Sequence, residues 1–382
     1  VSPAPLISGI IFFISMLLII FPDESTEIRL SEYKGLSASL KYPEARIITQ
    51  QWNAYSRIDV VRSDGIRSLP GVSTKFDKIP PKQLGLFTDG DNLSPIIRRN
   101  ESSDFAPFMP SAVAYILRPQ ADTLLLEPGS GLEILIAVSM GAGKVTAVEG
   151  NNLVIKSAGE IYKNPVVETI GTIGRSYLQG IDKNFDIVIV GLSDTYHPIR
   201  SGEYSLSENY RYTLEAFKDG INALKPDGIL LVSRWLQTPP SESLRVFATL
   251  ITALEDMGLK PDTNITAFRG YNMATILAKK NPFTEAELEE IYDFLKTRNY
   301  DLIYSPTEQP ALINTHNVMK EPIYWDRYSE LISTGARENF YREYPYRVEP
   351  TTDKKPFFGY YYKAEQLKHI ISEIGKMWQP FG

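Results

Sequence analysis

From residue 123 onward the chain alternates short apolar runs with stretches of helical periodicity, and this pattern restricts the fold more than any other feature. The runs are 123–127 (TLLLE), 144–149 (KVTAVE), 185–190 (FDIVIV) and 228–233 (GILLVS), each followed by enough residues for a covering helix. Strands that are apolar throughout are buried on both faces, and strand-helix alternation sets them in a parallel sheet with helices on either side. Two further strand-like runs, 263–268 and 272–278, flank the turn Arg269-Gly270-Tyr271 and predict a terminal antiparallel hairpin. The expected class is therefore α/β, a doubly wound, Rossmann-like and mostly parallel sheet.

Glu127-Pro128-Gly129-Ser130-Gly131 leaves the first apolar run and opens a helix. Backbone amides face a ligand at such a place, and glycine permits its close approach. Glu149 ends the next run, twenty-two residues further on, and is followed by Gly150. An acid there can accept both hydroxyls of a ribose, at the usual interval of about 20 residues. Glu127, Gly129, Ser130, Gly131, Glu149 and Gly150 are thus the expected cofactor-binding residues. Dinucleotide and adenosyl-sulfonium sites share this layout. A dinucleotide loop would place a third small residue after Gly131, where this chain has Leu132-Glu133-Ile134, and a carboxylate at Glu133 would sit badly beside a pyrophosphate. A nicotinamide oxidoreductase therefore ranks last among the readings.

At 382 residues with a net charge of -6, the chain lacks the basic face needed to wrap nucleic acid, so a small-molecule partner is expected. It has no cysteine and three histidines (His197, His316, His369), which removes thiolate chemistry and disfavours a metal site. Residues 6–21 (LISGIIFFISMLLIIF) carry no charge. At about 1.5 Å per residue they fall a little short of a roughly 30 Å hydrocarbon core, but Pro3, Ala4 and Pro5 extend the stretch. A secretory signal would want a basic leader and a core helix a polar face, so residues 1–22 are expected to form a transmembrane helix. Its orientation is unreadable from the acidic flank Asp23, Glu24 and Glu27.

Residues 23–104 are rich in turn formers and contain the alternating runs 57–61 (RIDVV) and 84–88 (LGLFT), which predict a small β-rich module. Residues 105–281 form the Rossmann-like domain and 282–382 a helical, Tyr- and Pro-rich extension. In that extension Thr284 and Glu287 spell a capping box, and Glu285, Glu287, Glu289 and Glu290 read as a solvated face. The tyrosines of the tail fit either an interfacial belt or ordinary packing.

The glycine loop resembles motif I of class I methyltransferases, and Leu224-Lys225-Pro226-Asp227-Gly228 resembles the turn before their fifth strand. Several phrases are similar to the spermidine synthase family in particular. These are Ser56-Arg57-Ile58-Asp59-Val60-Val61, Leu86-Phe87-Thr88-Asp89-Gly90, Gly174-Arg175-Ser176-Tyr177-Leu178, residues 186–194 (DIVIVGLSD) and Tyr212-Thr213-Leu214-Glu215-Ala216-Phe217. The hydrophobic start and Asp353-Lys354-Lys355-Pro356-Phe357-Phe358 resemble its membrane-embedded branch. The resemblance implies S-adenosylmethionine or its decarboxylated form as cofactor, no metal, and transfer of a methyl or aminopropyl group to a small nucleophile. It allows a homodimer. Because adenosylmethionine is made inside cells, the domain is expected to face the cytoplasm from a membrane anchor. The chain departs from the family pattern at Ser130, Gly191 and Ile173, where acids would stand, and at residues 111–115 (SAVAY), where a Tyr-His-Glu phrase would. A cationic amine needs such acids. A domain that binds a nucleoside without catalysis is therefore the alternative.

Asp194, Tyr196 and His197 follow the third apolar run, so they belong at the carboxyl edge of the sheet where ligands bind. Asp194 is the first candidate base or anchor, His197 a second base that titrates near neutrality, and Tyr196 a substrate contact. Arg234 leaves the fourth run at the same edge. It is expected either to grip a carboxylate or phosphate or to form a surface salt bridge.

Overall fold

The computed structural model describes residues 4–20, 30–32, 34–181, 184–192, 207–333, 335, 337–361 and 363. The N-terminal module is a four-stranded antiparallel sheet of β1 (Arg46–Trp52), β2 (Arg57–Arg62), β3 (Gln83–Thr88) and β4 (Asp91–Ile97), in sequential order. Asp89 and Gly90, both at positive φ, make the tight turn from β3 to β4. That is the left-handed geometry which Asp-Gly supplies in a two-residue hairpin.

The main sheet has eight strands. They are β5 (Asp122–Leu126), β6 (Lys144–Val148), β7 (Val167–Ile170), β8 (Phe185–Val190), β9 (Leu224–Trp235), β10 (Ile265–Arg269), β11 (Met273–Lys279) and β12 (Asp301–Tyr304). In space the order is β12-β10-β11-β9-β8-β5-β6-β7. Strands β5 to β9 pair in parallel, and β11 inserts antiparallel between β9 and β10. This is the Rossmann-like topology of class I methyltransferases, as the strand-helix alternation predicts. One detail differs: the hairpin β10-β11 does not close the sheet, because β12 adds antiparallel to β10. Its four residues, DLIY, are too short to announce a strand.

Both faces are packed. Leu124, Leu126, Val188, Val190, Leu230 and Val232 face one apolar cluster, and Leu125, Ile187, Ile189, Ile229 and Leu231 the other. Successive side chains of a strand point to opposite faces, so unbroken apolar runs are what a doubly covered sheet requires. Tyr344 and Tyr361 of the tail belong to the first cluster, which settles their packing role.

The capping box forms at Thr284 and Glu287, at the head of helix Glu285–Thr297. Glu287 is not solvated, however. Lys279, whose side chain is fully buried, donates to its two oxygens at 2.6 and 2.7 Å, and Arg118 also pairs with it. Burial alone would raise this carboxyl, but those hydrogen bonds outweigh it and hold the group at about 2.

The expected membrane span is overturned. Among the described residues no helix is long and apolar enough to cross a membrane. The N-terminal helix, Ala4–Ile20, has 17 residues. At about 1.5 Å each these reach about 25 Å, short of a roughly 30 Å core. The membrane localisation and the cytoplasm-facing orientation inferred from that span fall with it.

Candidate functional site

Strand β5 has β6 on one side and β8 on the other, so the order of the sheet reverses there. The carboxyl ends of these three strands frame the crevice in which open α/β sheets bind ligands. Glu127 follows β5 at φ 52°, Gly129 lies at φ 57° and Gly131 at φ 91°, before helix Leu132–Ser139 begins. Left-handed backbone at three of five positions explains the glycines, and at Glu127 a non-glycine residue bears the strain. Gly131 is also crowded: a Cβ there would come 2.5 Å from Ile161 Cγ2. The left-handed conformation alone costs a substituted residue about 1–2 kcal/mol. Gly131→Ala should therefore lower the unfolding free energy measured in urea by at least that amount, and an unchanged midpoint would count against this loop geometry.

Glu149, 7% exposed, stands at the end of β6. Its Oε2 accepts the Gly129 amide at 3.3 Å and its Oε1 the Asn151 amide at 2.9 Å. The acid and the glycine loop, separated in sequence, are thus joined directly. Burial pushes the Glu149 carboxyl up, while the two amides pull it back. Gly150 lies against Ile173.

Ser130 turns away from the crevice. Its hydroxyl donates to the Pro95 carbonyl at 2.7 Å, while Ser94 Oγ donates to that hydroxyl at 2.7 Å and accepts the Ser130 amide at 3.1 Å. Ser94 belongs to β4, so the N-terminal module is bolted to the glycine loop. Asn151 extends the seam, donating to Ser56 Oγ and accepting from Asn53 Nδ2. Tyr162 closes the loop from the far side with a 2.6 Å hydrogen bond to the Gly129 carbonyl. No local signal in the sequence marks Ser94 or Tyr162 as supports of the loop.

Beside the loop is a cleft with walls of Leu126, Leu178, Val190, Phe217 and Leu230 and a rim of Glu127, Arg175 and Arg211. Glu127 is ion-paired with Arg211, and its Oε1 receives the Gly174 amide at 3.4 Å. Arg175 is paired with Asp219 and, at 3.0 Å, with Asp353, which also accepts from Thr213 Oγ1 at 2.6 Å. Asp353 comes from the C-terminal segment, whose carbonyls at Glu349, Phe358 and Tyr360 are held by the buried Arg245.

Gly191 packs so tightly that a Cβ would lie 2.7 Å from the Glu127 carbonyl, so the backbone of Glu127 fills the space an Asp would need. Arg234 is 3% exposed and forms neither a surface salt bridge nor an open grip. Its guanidinium pairs with Glu242, donates to Tyr212 Oη at 2.7 Å and lies over the Tyr212 and Phe358 rings. Glu133 does not face the crevice either. Its carboxyl is buried near Ser111 and Tyr115, with Oε2 lacking a hydrogen-bond partner, so it says nothing about pyrophosphate. Asp194, Tyr196 and His197 lie outside the described residues.

The fold and crevice define a class I methyltransferase-type α/β domain. No family model and no curated protein matches the sequence. Solved structures that are similar include a spermidine synthase in complex with the transition state analogue AdoDATO, at 15% identity over 71% of this chain and 87% of that one, TM-score 0.44. Another is spermidine synthase from Thermotoga maritima, at 15% identity over 71% and 87%, TM-score 0.43. A third is a probable spermidine synthase from Corynebacterium glutamicum, at 13% identity over 66% and 87%, TM-score 0.46. What the site can do rests on its own residues.

Proposed function

We propose that the chain is a transferase that binds S-adenosylmethionine or its decarboxylated form at the carboxyl ends of β5, β6 and β8. It passes a methyl or aminopropyl group to a small nucleophile. The observation that carries this reading is the buried Glu149 carboxylate, 3.3 Å from the Gly129 amide, which unites the acidic strand end with the glycine loop at the switch point.

Glu149 would accept the ribose hydroxyls, with Gly129, Gly131 and Gly150 letting the ligand approach the backbone. When bound, such a donor supplies a sulfonium-activated carbon that the acceptor's lone pair attacks, the carbon-sulfur bond breaking with its electrons kept by sulfur. In this reading Asp194 takes the acceptor's proton, with His197 as the second base and Tyr196 beside the acceptor. Arg234, already committed to Glu242, has no part in it.

The test is calorimetric titration with S-adenosylmethionine, decarboxylated S-adenosylmethionine, methylthioadenosine and NAD. Binding of the adenosyl sulfur compounds and not of NAD is expected. Glu149→Ala should weaken it by about a hundredfold, the loss of charge-assisted hydrogen bonds to two hydroxyls. Tight NAD binding, or binding indifferent to Glu149, would sink the proposal. A second reading is a nucleoside-binding domain without turnover. It is favoured by the internal use of Ser130 and of the Glu127-Arg211 pair, and ligand binding with no transfer to any amine or hydroxyl would select it.

A further inference from the structure

Resting on the donor site proposed above, we infer that the N-terminal module sets the spacing between the glycine loop and Glu149, with Ser94 as the positioning residue on the loop side. The two halves of the site come from different strand-helix units, the loop after β5 and the acid at the end of β6. Each half is tied to the module by a side-chain contact of its own.

These contacts form a closed ring. Ser94 Oγ, on β4, accepts the Ser130 amide at 3.1 Å. The neighbouring Gly129 amide donates to Glu149 Oε2 at 3.3 Å, and Glu149 Oε1 accepts the Asn151 amide at 2.9 Å. Asn151 Nδ2 donates to Ser56 Oγ at 2.9 Å, while Asn53 Nδ2 donates to Asn151 Oδ1 at 2.8 Å. Asn53 and Ser56 close the turn from β1 to β2, and β2 and β4 both pair with β3, so the module's own sheet completes the ring. Val154, on the helix Asn152–Ala158 that follows the acid, packs into an apolar cluster with Ile58, Val60, Leu86 and Ile96 of the module. Loop and acid are therefore both held against one sheet.

The loop needs support from outside itself. Left-handed backbone at Glu127, Gly129 and Gly131 persists only where the surroundings over-determine it. Within the loop the Gly131 amide meets the Pro128 carbonyl at 3.0 Å, whereas the Gly129 and Ser130 amides rely on side chains from elsewhere. Gly129 leaves room for the module's contact, since a Cβ there would lie 3.2 Å from Ser94 Oγ. Removing the Ser94 hydroxyl strips the Ser130 amide of its acceptor and frees the loop to move relative to Glu149. A ligand that bridges loop and acid then has to order what the module had already ordered.

The experiment compares calorimetric affinities of the full chain for S-adenosylmethionine and methylthioadenosine with those of Ser94→Ala, Ser94→Thr and Asp91→Ala. Asp91 lies on the same strand but holds the Gly35 amide, at 3.2 Å, so its loss weakens the module away from the loop. Ser94→Ala should weaken both ligands by about tenfold, the effect of one lost hydrogen bond in a preset site. Ser94→Thr, which keeps the hydroxyl, should stay within about threefold of the parent, as should Asp91→Ala. In a Glu149→Ala background Ser94→Ala should cost much less than about tenfold, because the ring is already broken. Unchanged affinity in Ser94→Ala, or an equal loss in Asp91→Ala, would overturn the inference and leave the donor site standing. A threonine variant as weak as the alanine one would overturn the role of the hydroxyl, and a fully additive loss with Glu149→Ala would overturn the route through Glu149. Binding of neither ligand by the unaltered chain would overturn the donor site itself, and this inference with it.

Discussion

Arg234→Ala should reduce the unfolding free energy by about 3–5 kcal/mol, the cost of leaving one member of a buried ion pair without the other. Arg234 and Glu242 are 3% and 8% exposed. With the guanidinium gone, Glu242 keeps only neutral partners among its hydrogen bonds, such as Gln237 Nε2 at 3.0 Å, and Tyr212 Oη loses its 2.7 Å donor. The aromatic rings of Tyr212 and Phe358 lose the cation that lies over them at 4.7 and 5.3 Å. Urea unfolding followed by circular dichroism would measure the loss. Replacing the pair together, as Arg234→Met with Glu242→Leu, should recover much of it, because apolar side chains of similar volume remove both buried charges. A single substitution that costs less than about 1 kcal/mol would place Arg234 outside the core network and reopen it as a ligand contact.

Glu133→Gln should leave stability almost unchanged at pH 4 and raise it by about 3 kcal/mol at pH 8, at about 1.4 kcal/mol per pKa unit. Burial pushes the Glu133 carboxyl from 4.5 to about 7, with the nearby Ser111 hydroxyl pulling slightly the other way. A carboxyl whose folded-state pKa is raised favours folding while it is protonated in both states, below about 4.5. That advantage is lost as the pH rises through about 7, where the folded protein must bury an ionised group or release it. Glutamine keeps the shape and never ionises. Denaturation midpoints of the parent and the variant between pH 4 and pH 8 should diverge steadily, and parallel profiles would show that Glu133 is hydrated.

Features built from near neighbours were legible in the chain. The glycine loop, Glu149 and the hairpin β10-β11 depend on period and spacing over one strand-helix unit, which local sequence carries. The Thr284-Glu287 capping box closes within one helical turn and forms as read. Outside that range the reading failed in consistent ways. The acidic helix face predicts a solvated Glu287, but its partners, Lys279 and Arg118, come from β11 and from the residue after a distant helix. The apolar start has the composition of a membrane span, but among the described residues its helix has 17 residues, short of one.

The sequence by itself determined the alternation that forces a doubly covered parallel sheet and the order in which loop and acid reach its carboxyl edge, because both follow from backbone periodicity and the burial of apolar side chains. Only the tertiary structure decided what each polar group faces. It turned Ser130 toward Ser94 and Pro95, set Arg211 against Glu127 and brought Asp353 to Arg175. It also withdrew Arg234 into a buried pair with Glu242. A charged or hydroxylic side chain carries no record of its partner, and its role is settled by whichever opposite group the packed fold places within hydrogen-bond reach.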